Sequence, residues 1–336
     1  MGSKTFIIAE LSANHNNDFD IAVKTIRAMA DAGADAVKVQ TYTADSLSID
    51  VENEYFKPME SGLWEGYRPY ELYQEASMPY EWQLKLQEVA QEVGLEFFSS
   101  PFDKEGIDFL ESLDVPKYKI ASMEITDTPL IKYAASKGKP MIISTGLAEV
   151  EDIELAVNTC REVGNDDITL LKCTSDYPAT IEDANLRTIP DMKERFGVHV
   201  GVSDHTMGST VPVVAVSLGA KVIEKHFILD RSLGGPDAGF SMEPDEFKQM
   251  VRDVRNVEKA LGKVSYEVSE KDKLRRRSLF AVKDIKPGEK VTEQNMRSVR
   301  PGHGIHPKYF DQILGKKAKQ KINKGDPLLG KYFEWL

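Results

Sequence analysis

Cysteine is scarce in this sequence: Cys160 and Cys173 are the only two among 336 residues. They fall in different predicted elements and lack CxxC spacing, so they form no disulfide framework. Long apolar runs are also missing, since none reaches the roughly 18 residues that a membrane helix needs. The first residues lead straight into a strand-like segment without a signal peptide. These absences predict a cytoplasmic protein.

Net positive charge is missing as well. The formal charge of −11 disfavours nucleic acid or an anionic membrane as a partner, because phosphate groups are bound by basic surfaces. An anionic small molecule would therefore need a local cluster of lysine and arginine. The 41% hydrophobic and 29% charged content is typical of a soluble protein with a sizeable core.

Short β-branched runs alternate with amphipathic helical stretches through the first 260 residues, which is typical of βα units and a parallel sheet. Eight strands are predicted, at Phe6–Glu10, Ala36–Gln40, Glu96–Ser100, Tyr118–Ala121, Met141–Ser144, Thr169–Cys173, His199–Ser203 and Val222–Lys225. The helices are predicted at Ile21–Ala32, Glu81–Val93, Ile107–Ser112, Pro129–Lys137, Val150–Val163, Leu186–Phe196, Thr210–Leu218 and Asp245–Leu261. Eight such repeats favour an α/β fold, a (β/α)8 TIM barrel over 1–262, ahead of an open doubly wound sheet.

Two segments interrupt this rhythm. Residues 43–79 are too long for an ordinary loop and are rich in aromatic residues, which predicts either a substrate lid or a structural flap over the barrel rim. After Leu261 the pattern changes to a basic stretch followed by short strands and turns such as Lys286-Pro287-Gly288. We predict a linker at 263–277 and a small β-rich domain at 278–336.

Polar residues follow nearly every predicted strand, at the end of a barrel where catalytic groups gather. Period-two spacing places Lys38 and Gln40 on one face of their strand, and Glu224 and His226 on one face of theirs. Buried lysines need partners, so we expect the lysines at strand ends to face acids or an anionic ligand. They are Lys38, Lys119 and Lys172.

His205 and His226 end neighbouring strands and could bind a divalent metal with open positions. Structural zinc is disfavoured, because neither cysteine has ligand spacing relative to the histidines. Ser144-Thr145-Gly146 and Ser203 offer hydroxyls and backbone amides that could hold phosphate beside Lys119. Alternatively, Ser144-Thr145-Gly146 has a purely structural role as a turn before a helix.

Several motifs in order resemble the sialic acid synthase family, and the likeness spans nearly the whole chain. They are Ile8-Ala9-Glu10-Leu11-Ser12-Ala13-Asn14-His15, Lys38-Val39-Gln40-Thr41-Tyr42, Tyr118-Lys119-Ile120-Ala121-Ser122, Gly201-Val202-Ser203-Asp204-His205 and Glu224-Lys225-His226-Phe227. The tail segment Ser298-Val299-Arg300-Pro301-Gly302 is similar to that family's antifreeze-like (SAF) C-terminal domain. An antifreeze-like domain here need not bind ice.

The resemblance implies a role for each matched residue. His205 and His226 would hold a divalent metal, with Mn²⁺ favoured over Mg²⁺ or Co²⁺. The other implied roles are catalysis by Glu10, Glu124 and Lys38; phosphoenolpyruvate binding by Lys38, Lys119, Ser144 and Ser203 with Ser122 nearby; sugar contacts from Gln40, Tyr177 and Asp237; and further substrate contacts from Asn14, Gly146 and Thr174. Arg300 would reach the acetamido group from the partner subunit of a domain-swapped homodimer.

The implied reaction joins C3 of phosphoenolpyruvate to the aldehyde of an acetamido sugar, adds water at C2 and releases phosphate by C–O cleavage. Gly62-Leu63-Trp64, Leu72-Tyr73 and Pro79-Tyr80-Glu81-Trp82 favour 2,4-diacetamido-2,4,6-trideoxy-altrose as the acceptor. N-acetylmannosamine and the legionaminic acid precursor are the alternatives. More distant alternatives are a class I aldolase with Lys119 or Lys172 as its covalent amine, and a non-catalytic sugar-binding barrel.

Overall fold

The structure, a computed structural model, describes residues 4–334. The chain divides into two compact units between Gly262 and Lys263. The first unit is a closed barrel of eight parallel strands that neighbour one another in chain order. The strands are β1 (Phe6–Glu10), β2 (Ala36–Thr41), β3 (Glu96–Pro101), β4 (Tyr118–Ile120), β5 (Met141–Ser144), β6 (Ile168–Cys173), β7 (His199–Asp204) and β8 (Val222–His226). The predicted (β/α)8 barrel is confirmed.

Helices connect the strands as the alternation predicts. They are α1 (Phe19–Asp31), α2 (Ala44–Leu47), α3 (Pro69–Ala76), α4 (Tyr80–Glu92), α5 (Lys104–Ser112), α6 (Thr128–Ala135), α7 (Val150–Glu162), α8 (Thr188–Phe196), α9 (Thr210–Ser217) and α10 (Pro244–Leu261). Single 3₁₀ turns in this unit lie at Ser122–Glu124, Glu182–Ala184, Arg231–Leu233 and Ala238–Phe240. The short helices α2 and α3 were not predicted, and both lie in the long 43–79 segment.

Aspartate caps explain where two helices begin earlier than predicted. The Asp18 carboxylate accepts hydrogen bonds from the backbone N–H groups of Asp20 and Ile21 at 2.8 and 3.1 Å. The Asp103 carboxylate accepts one from the backbone N–H of Gly106 at 2.6 Å. Each carboxylate satisfies donors of the first helical turn, so the helix starts directly after it.

Side chains of the strands alternate between the barrel interior and the helices outside. Lys38 and Gln40 of β2 line an interior cavity, whereas Val37 and Val39 of the same strand belong to the main hydrophobic core. A strand puts successive side chains on opposite faces. The packing of helices against the outer face therefore fixes which polar residues point inward.

The second unit is β-rich, as the turn pattern predicts. Strands β9 (Ser278–Ala281) and β10 (Met296–Val299) pair antiparallel, and short helical pieces lie at α11 (Glu270–Lys273), α12 (Phe310–Ile313), Pro307–Tyr309 and Gly330–Tyr332. Its own core contains fully buried aliphatic residues, including Leu279, Ile285, Val291, Ile313 and Ile322. The boundary of a separate linker at 263–277 stays a prediction. In the part of the chain that the structure describes, no helix combines the length and apolar character that a membrane span requires.

Gly201 of β7 lies close against Val222 of β8. A Cβ atom there would come within 2.4 Å of the Val222 carbonyl oxygen and 2.6 Å of Leu171 Cδ2. We expect Gly201→Ala to lower the free energy of unfolding by about 1–3 kcal/mol, because backbone and core atoms would have to move. Urea unfolding of the purified protein measures this change.

The matched control is Gly239→Ala. No atom lies within 4 Å of a Cβ at Gly239, so this variant should unfold within about 0.5 kcal/mol of the unmodified protein. Equal unfolding midpoints for the two variants would contradict the close approach at Gly201.

Candidate active site

The carboxyl ends of the barrel strands surround a cavity of about 280 Å³. Twelve of the predicted site residues line it: Glu10, Lys38, Gln40, Lys119, Ser122, Glu124, Ser144, Tyr177, Ser203, His205, Asp237 and His226. Lys38, Ser144 and Ser203 are brought to one cavity from three different strands, β2, β5 and β7. The barrel thus assembles the polar residues that the strand-end pattern singles out.

Four buried charged groups pair with one another on the cavity floor. Lys38 Nζ lies 2.8 Å from Glu10 Oε2 and 3.9 Å from Glu224 Oε2. Lys119 Nζ donates to Glu224 Oε1 at 3.1 Å. These residues are at most 3% exposed, and buried charges persist only when they are paired and hydrogen-bonded. Two lysines and two glutamates therefore form one balanced cluster.

The carboxyl groups lie in unlike electrostatic environments. Burial raises the pKa of Glu10 to about 7, against the opposing charge of Lys38. Burial also acts to raise the pKa of Glu224, but Lys119 and Lys38 outweigh it and lower that pKa to about 2. Burial raises the pKa of Glu124 to about 7, against the attraction of Lys119. Such differences allow neighbouring carboxyls to divide acid and base duties.

Hydroxyl groups surround the lysines. Ser100 Oγ accepts a hydrogen bond from Lys38 Nζ at 3.0 Å, and Ser203 Oγ donates to Glu224 Oε1 at 3.0 Å. Ser144 Oγ is buried and has no hydrogen-bond partner among residues 4–334. Two ammonium groups and an unpartnered hydroxyl can donate hydrogen bonds to a phosphate or carboxylate group.

Gly146 lies beside the hydroxyl groups of Ser122 and Ser175 and does not line the cavity. Its backbone N–H donates to Ser122 Oγ at 3.1 Å. A Cβ atom there would come within 2.1 Å of Ser175 Oγ and 2.9 Å of Ser122 Oγ. Glycine at this position lets the loop after β5 approach the serines closely.

His205 and His226 meet at the cavity, with ring centroids 5.2 Å apart. His205 Nδ1 lies 2.8 Å from the Thr174 carbonyl oxygen, which orients that ring. His226 Nδ1 is buried without a hydrogen-bond partner in the described chain and lies 3.8 Å from Asp237 Oδ2. Burial lowers the pKa of His226 well below its ordinary value, which favours the neutral, metal-binding form.

This pair fits a divalent ion that is held by few protein ligands. Within residues 4–334, no group of three or more His, Cys, Asp or Glu side chains converges on one metal position. An oriented imidazole beside an unpartnered one suits an ion that keeps open positions for water or substrate. A closed structural site would need four protein ligands.

The long segment between β2 and α4 contributes side chains to the lining of the cavity. Trp64 Nε1 donates to the Pro236 carbonyl oxygen, in the loop after β8, at 3.0 Å. The Trp64 ring lies 5.6 Å from that of Tyr177, which in turn lies 4.4 Å from His205. An aromatic chain therefore runs from this segment to the histidine pair.

Three other predicted site residues, Asn14, Thr174 and Arg300, do not line the cavity. Asn14 Nδ2 donates to the Phe227 carbonyl oxygen at 2.9 Å and to Ser241 Oγ at 2.8 Å, so it ties the loop after β1 to the loop after β8. Thr174 Oγ1 donates to the Asp183 carbonyl oxygen at 3.2 Å. Arg300 lies in the second unit, in the segment after β10.

Among residues 4–334, Lys172 pairs with no acid, and it does not line the cavity where an anionic ligand could bind, so the expectation that it faces an acid or an anionic ligand is wrong. Its Nζ donates to the Cys173 carbonyl oxygen at 2.9 Å. Cys173 lines the cavity, so strand alternation turns Lys172 to the opposite face. The same alternation could have found Cys173 from the sequence.

Several further lining residues were missed, among them Tyr42, Ser12 and Met59. Tyr42 continues the face of Lys38 and Gln40 by two residues, a signal that was available. Ser12 Oγ accepts from Gln40 Nε2 at 3.0 Å, and Met59 reaches the cavity from the long segment. Ser12 and Met59 lie in irregular backbone, where periodicity gives no signal.

The chain belongs to the NeuB family, whose model matches residues 25–266, and residues 276–334 match the SAF domain. It is 49% identical to the pseudaminic acid synthase of Campylobacter jejuni over 97% of this chain and 95% of that protein. It is 46% identical to the pseudaminic acid synthase of Helicobacter pylori, covering 96% of each chain. A crystal structure of N-acetylneuraminic acid synthetase from Leptospira borgpetersenii superposes with a TM-score of 0.71 at 33% identity, covering 80% of this chain and 89% of that one. The predicted family and SAF domain are confirmed.

Glu224 holds the charged floor together, so Glu224→Gln should destabilise the barrel. It leaves Lys119 buried without a counterion, and breaking a buried pair costs about 3–5 kcal/mol. Urea unfolding measures the loss. Added inorganic phosphate should raise the unfolding midpoint of this variant more than that of the unmodified protein, because the anion replaces the missing charge.

Ser203→Ala serves as the control, since it removes one hydrogen bond to the same carboxylate at a cost of about 1 kcal/mol. The charged floor would not be the stabilising element if Glu224→Gln unfolded at the same urea concentration as Ser203→Ala.

Proposed function

We propose that this chain condenses phosphoenolpyruvate with 2,4-diacetamido-2,4,6-trideoxy-β-L-altropyranose and water, giving pseudaminic acid and phosphate. The observation that carries the proposal is the buried floor of Lys38 and Lys119 directly beside the histidine pair. Family membership and the two pseudaminic acid synthase relatives support the reaction and the acceptor.

Phosphoenolpyruvate would bind on the cavity floor. Lys38 and Lys119 supply positive charge, and the unpartnered Ser144 hydroxyl supplies a hydrogen-bond donor. Ser203 and Ser122 lie in the same cavity. Such a local positive cluster would allow a chain with a charge of −11 to bind a strongly anionic substrate.

His205 and His226 would hold a divalent metal, with Mn²⁺ favoured. When bound, such an ion supplies Lewis-acid polarisation of the acceptor aldehyde. The neighbouring Asp237 carboxylate, 3.8 Å from His226 Nδ1, would help to hold that ring in place.

Glu10 and Glu124 would manage protons. The 2.8 Å contact with Lys38 favours the carboxylate of Glu10, which would accept a proton from the water that adds at C2. Glu124 forms no ion pair within residues 4–334, and burial raises its pKa to about 7. Glu124 would therefore donate a proton to the oxygen of the aldehyde.

Gln40, Tyr177 and Asp237 would contact the sugar, since all three line the cavity. Arg300 would reach the acetamido group from the partner subunit of a domain-swapped homodimer, as the family resemblance implies. If solution scattering showed a monomer and that monomer were fully active, this part of the proposal would be contradicted.

Two rival mechanisms fit the structure less well. A class I aldolase needs a free amine, but Lys119 Nζ donates to Glu224, and Lys172 points away from the cavity, towards the Cys173 carbonyl oxygen. A binding protein without catalysis would not need two carboxyl groups with a pKa near 7 beside a histidine pair.

The decisive experiment measures phosphate release from phosphoenolpyruvate and Mn²⁺ with each candidate sugar. We expect release with the trideoxy-altrose sugar, and its loss after exhaustive chelation and in His205→Ala. His199→Ala is the control and should stay active, because His199 lies at the exposed amino-terminal end of β7. Release only with N-acetylmannosamine or the legionaminic acid precursor would assign that sugar as the acceptor instead. No release with any sugar would contradict the proposed reaction.

The pH profile tests Glu124. A carboxyl that must be protonated loses activity as pH rises through its pKa, so kcat/KM should fall above pH about 7. Glu124→Gln should remove this fall and lower the rate by about 10²- to 10⁴-fold. Glu88→Gln, on the exposed face of α4, should keep the profile of the unmodified protein. Persistence of the alkaline fall in Glu124→Gln would assign it to another group.

A further inference from the structure

A charged pair is buried outside the cavity, between the two strands that lead to the histidine pair. Lys225 of β8 is fully buried and does not line the cavity. Its neighbour in β7 is Asp204, and Lys225 Nζ lies 2.7 Å from Asp204 Oδ2. The proposed reaction gives neither residue a task, although each adjoins a histidine in sequence.

The ammonium group of Lys225 has three protons, and it meets three acceptors. Besides Asp204 Oδ2, Nζ donates to the carbonyl oxygen of Thr206 and, at 3.4 Å, to that of Gly208. Asp204 Oδ1 accepts from the backbone N–H of Thr206 at 2.9 Å. The pair of Lys225 and Asp204, here called the outer clamp, therefore holds Thr206 through both its N–H and its carbonyl group.

His205 lies between the two ends of this clamp. Asp204 precedes it and Thr206 follows it, so the backbone is fixed on both sides of the histidine. The Thr174 carbonyl oxygen, 2.8 Å from His205 Nδ1, orients the ring. A hydrogen bond to one ring nitrogen sets the rotation of an imidazole, whereas the position of its Cα depends on the backbone.

The backbone at this point has no regular structure of its own. β7 ends at Asp204 and α9 begins at Thr210, and residues 205–209 form an irregular loop. Such a loop lacks the repeating hydrogen bonds that hold a strand or a helix, so its polar groups need other partners. Lys225 supplies two of them, the partners of the Thr206 and Gly208 carbonyl oxygens.

We propose that the outer clamp positions His205 for binding a divalent ion. By fixing the loop after β7, it keeps the imidazole facing that of His226, 5.2 Å away between ring centroids. This inference rests on the proposed metal role of the two histidines. Lys225 and Asp204 are positioning residues in this account, since they act through His205.

A buried ion pair can instead serve stability alone. The two roles differ in what they change. A pair that only stabilises the fold changes the fraction of protein that is folded, and the folded molecules bind the metal as before. A positioning clamp changes the affinity of the folded molecules for the metal, and residues that hold metal ligands in place typically affect it by about 10- to 100-fold.

The test measures the Kd for Mn²⁺ without substrates, from the electron paramagnetic resonance of the free ion, on protein shown to be folded by circular dichroism. Removing Lys225 alone would leave the Asp204 carboxylate buried without a counterion, so the variant is Asp204→Asn/Lys225→Met, which removes both charges and keeps the side-chain lengths similar. Because the bonds from Lys225 to the loop are lost, we expect the Kd to rise by about 10- to 100-fold.

Lys225→Arg keeps the charge pair and serves as the second variant if the first does not fold. A planar guanidinium does not match three acceptors grouped around an ammonium, so the Kd should rise here as well. The matched control is Asp35→Asn/Arg255→Met. Arg255 lies 2.8 Å from Asp35 and donates to the Thr5 carbonyl oxygen at 2.8 Å, before the start of β1 and β2. This control should unfold at a lower urea concentration and keep the Kd.

An unchanged Kd in the folded clamp variants, with binding lost in His205→Ala, would overturn the inference and leave the proposed function standing. An equal rise in the control variant would also overturn it, because the effect would then follow from a general loss of stability. Absence of Mn²⁺ binding by the unmodified protein would instead contradict the proposed metal role, and the inference with it.

Discussion

The structure depends on the mutual neutralisation of Lys38, Lys119, Glu10 and Glu224 inside the barrel. Any one of these charges alone would be too costly to bury. Together they are tolerated, and they place two ammonium groups at a point that bulk water does not reach. Under the proposed function, an incoming phosphate would meet donors that are already desolvated and oriented, which is what preorganised binding requires.

Closure of the barrel decides which side chains join this cluster. In β8, Glu224 and His226 line the cavity, whereas Lys225 between them points outward. Lys225 is fully buried and pairs with Asp204 of the neighbouring strand at 2.7 Å. A one-residue shift of β8 would exchange the two sets and move a lysine into the position of His226. The outward ion pair therefore favours the register in which the histidines face each other.

Local periodicity explains why so much of the fold could be predicted. Strand alternation and the eight βα repeats are short-range patterns, and they were enough to place Lys38, His205 and His226 at one end of the barrel. They could not reveal contacts between distant segments, such as the hydrogen bond between Trp64 and Pro236. The contact of Asn14 with Ser241 is of the same kind. The prediction for Lys172 was wrong for a different reason. It considered that the lysine lies at a strand end, but not that successive side chains alternate, which turns Cys173 rather than Lys172 towards the cavity.

The cavity is lined by two kinds of structure: the ends of the barrel strands and the long segment between β2 and α4. The charged floor and the histidine pair lie on or next to strand ends, whose positions are fixed by backbone pairing to both neighbours. Met59 and Leu72 belong instead to the segment between β2 and α4, which can change without disturbing the barrel. A catalytic group must keep its position within a fraction of an ångström, which backbone pairing to both neighbouring strands provides and an irregular segment does not.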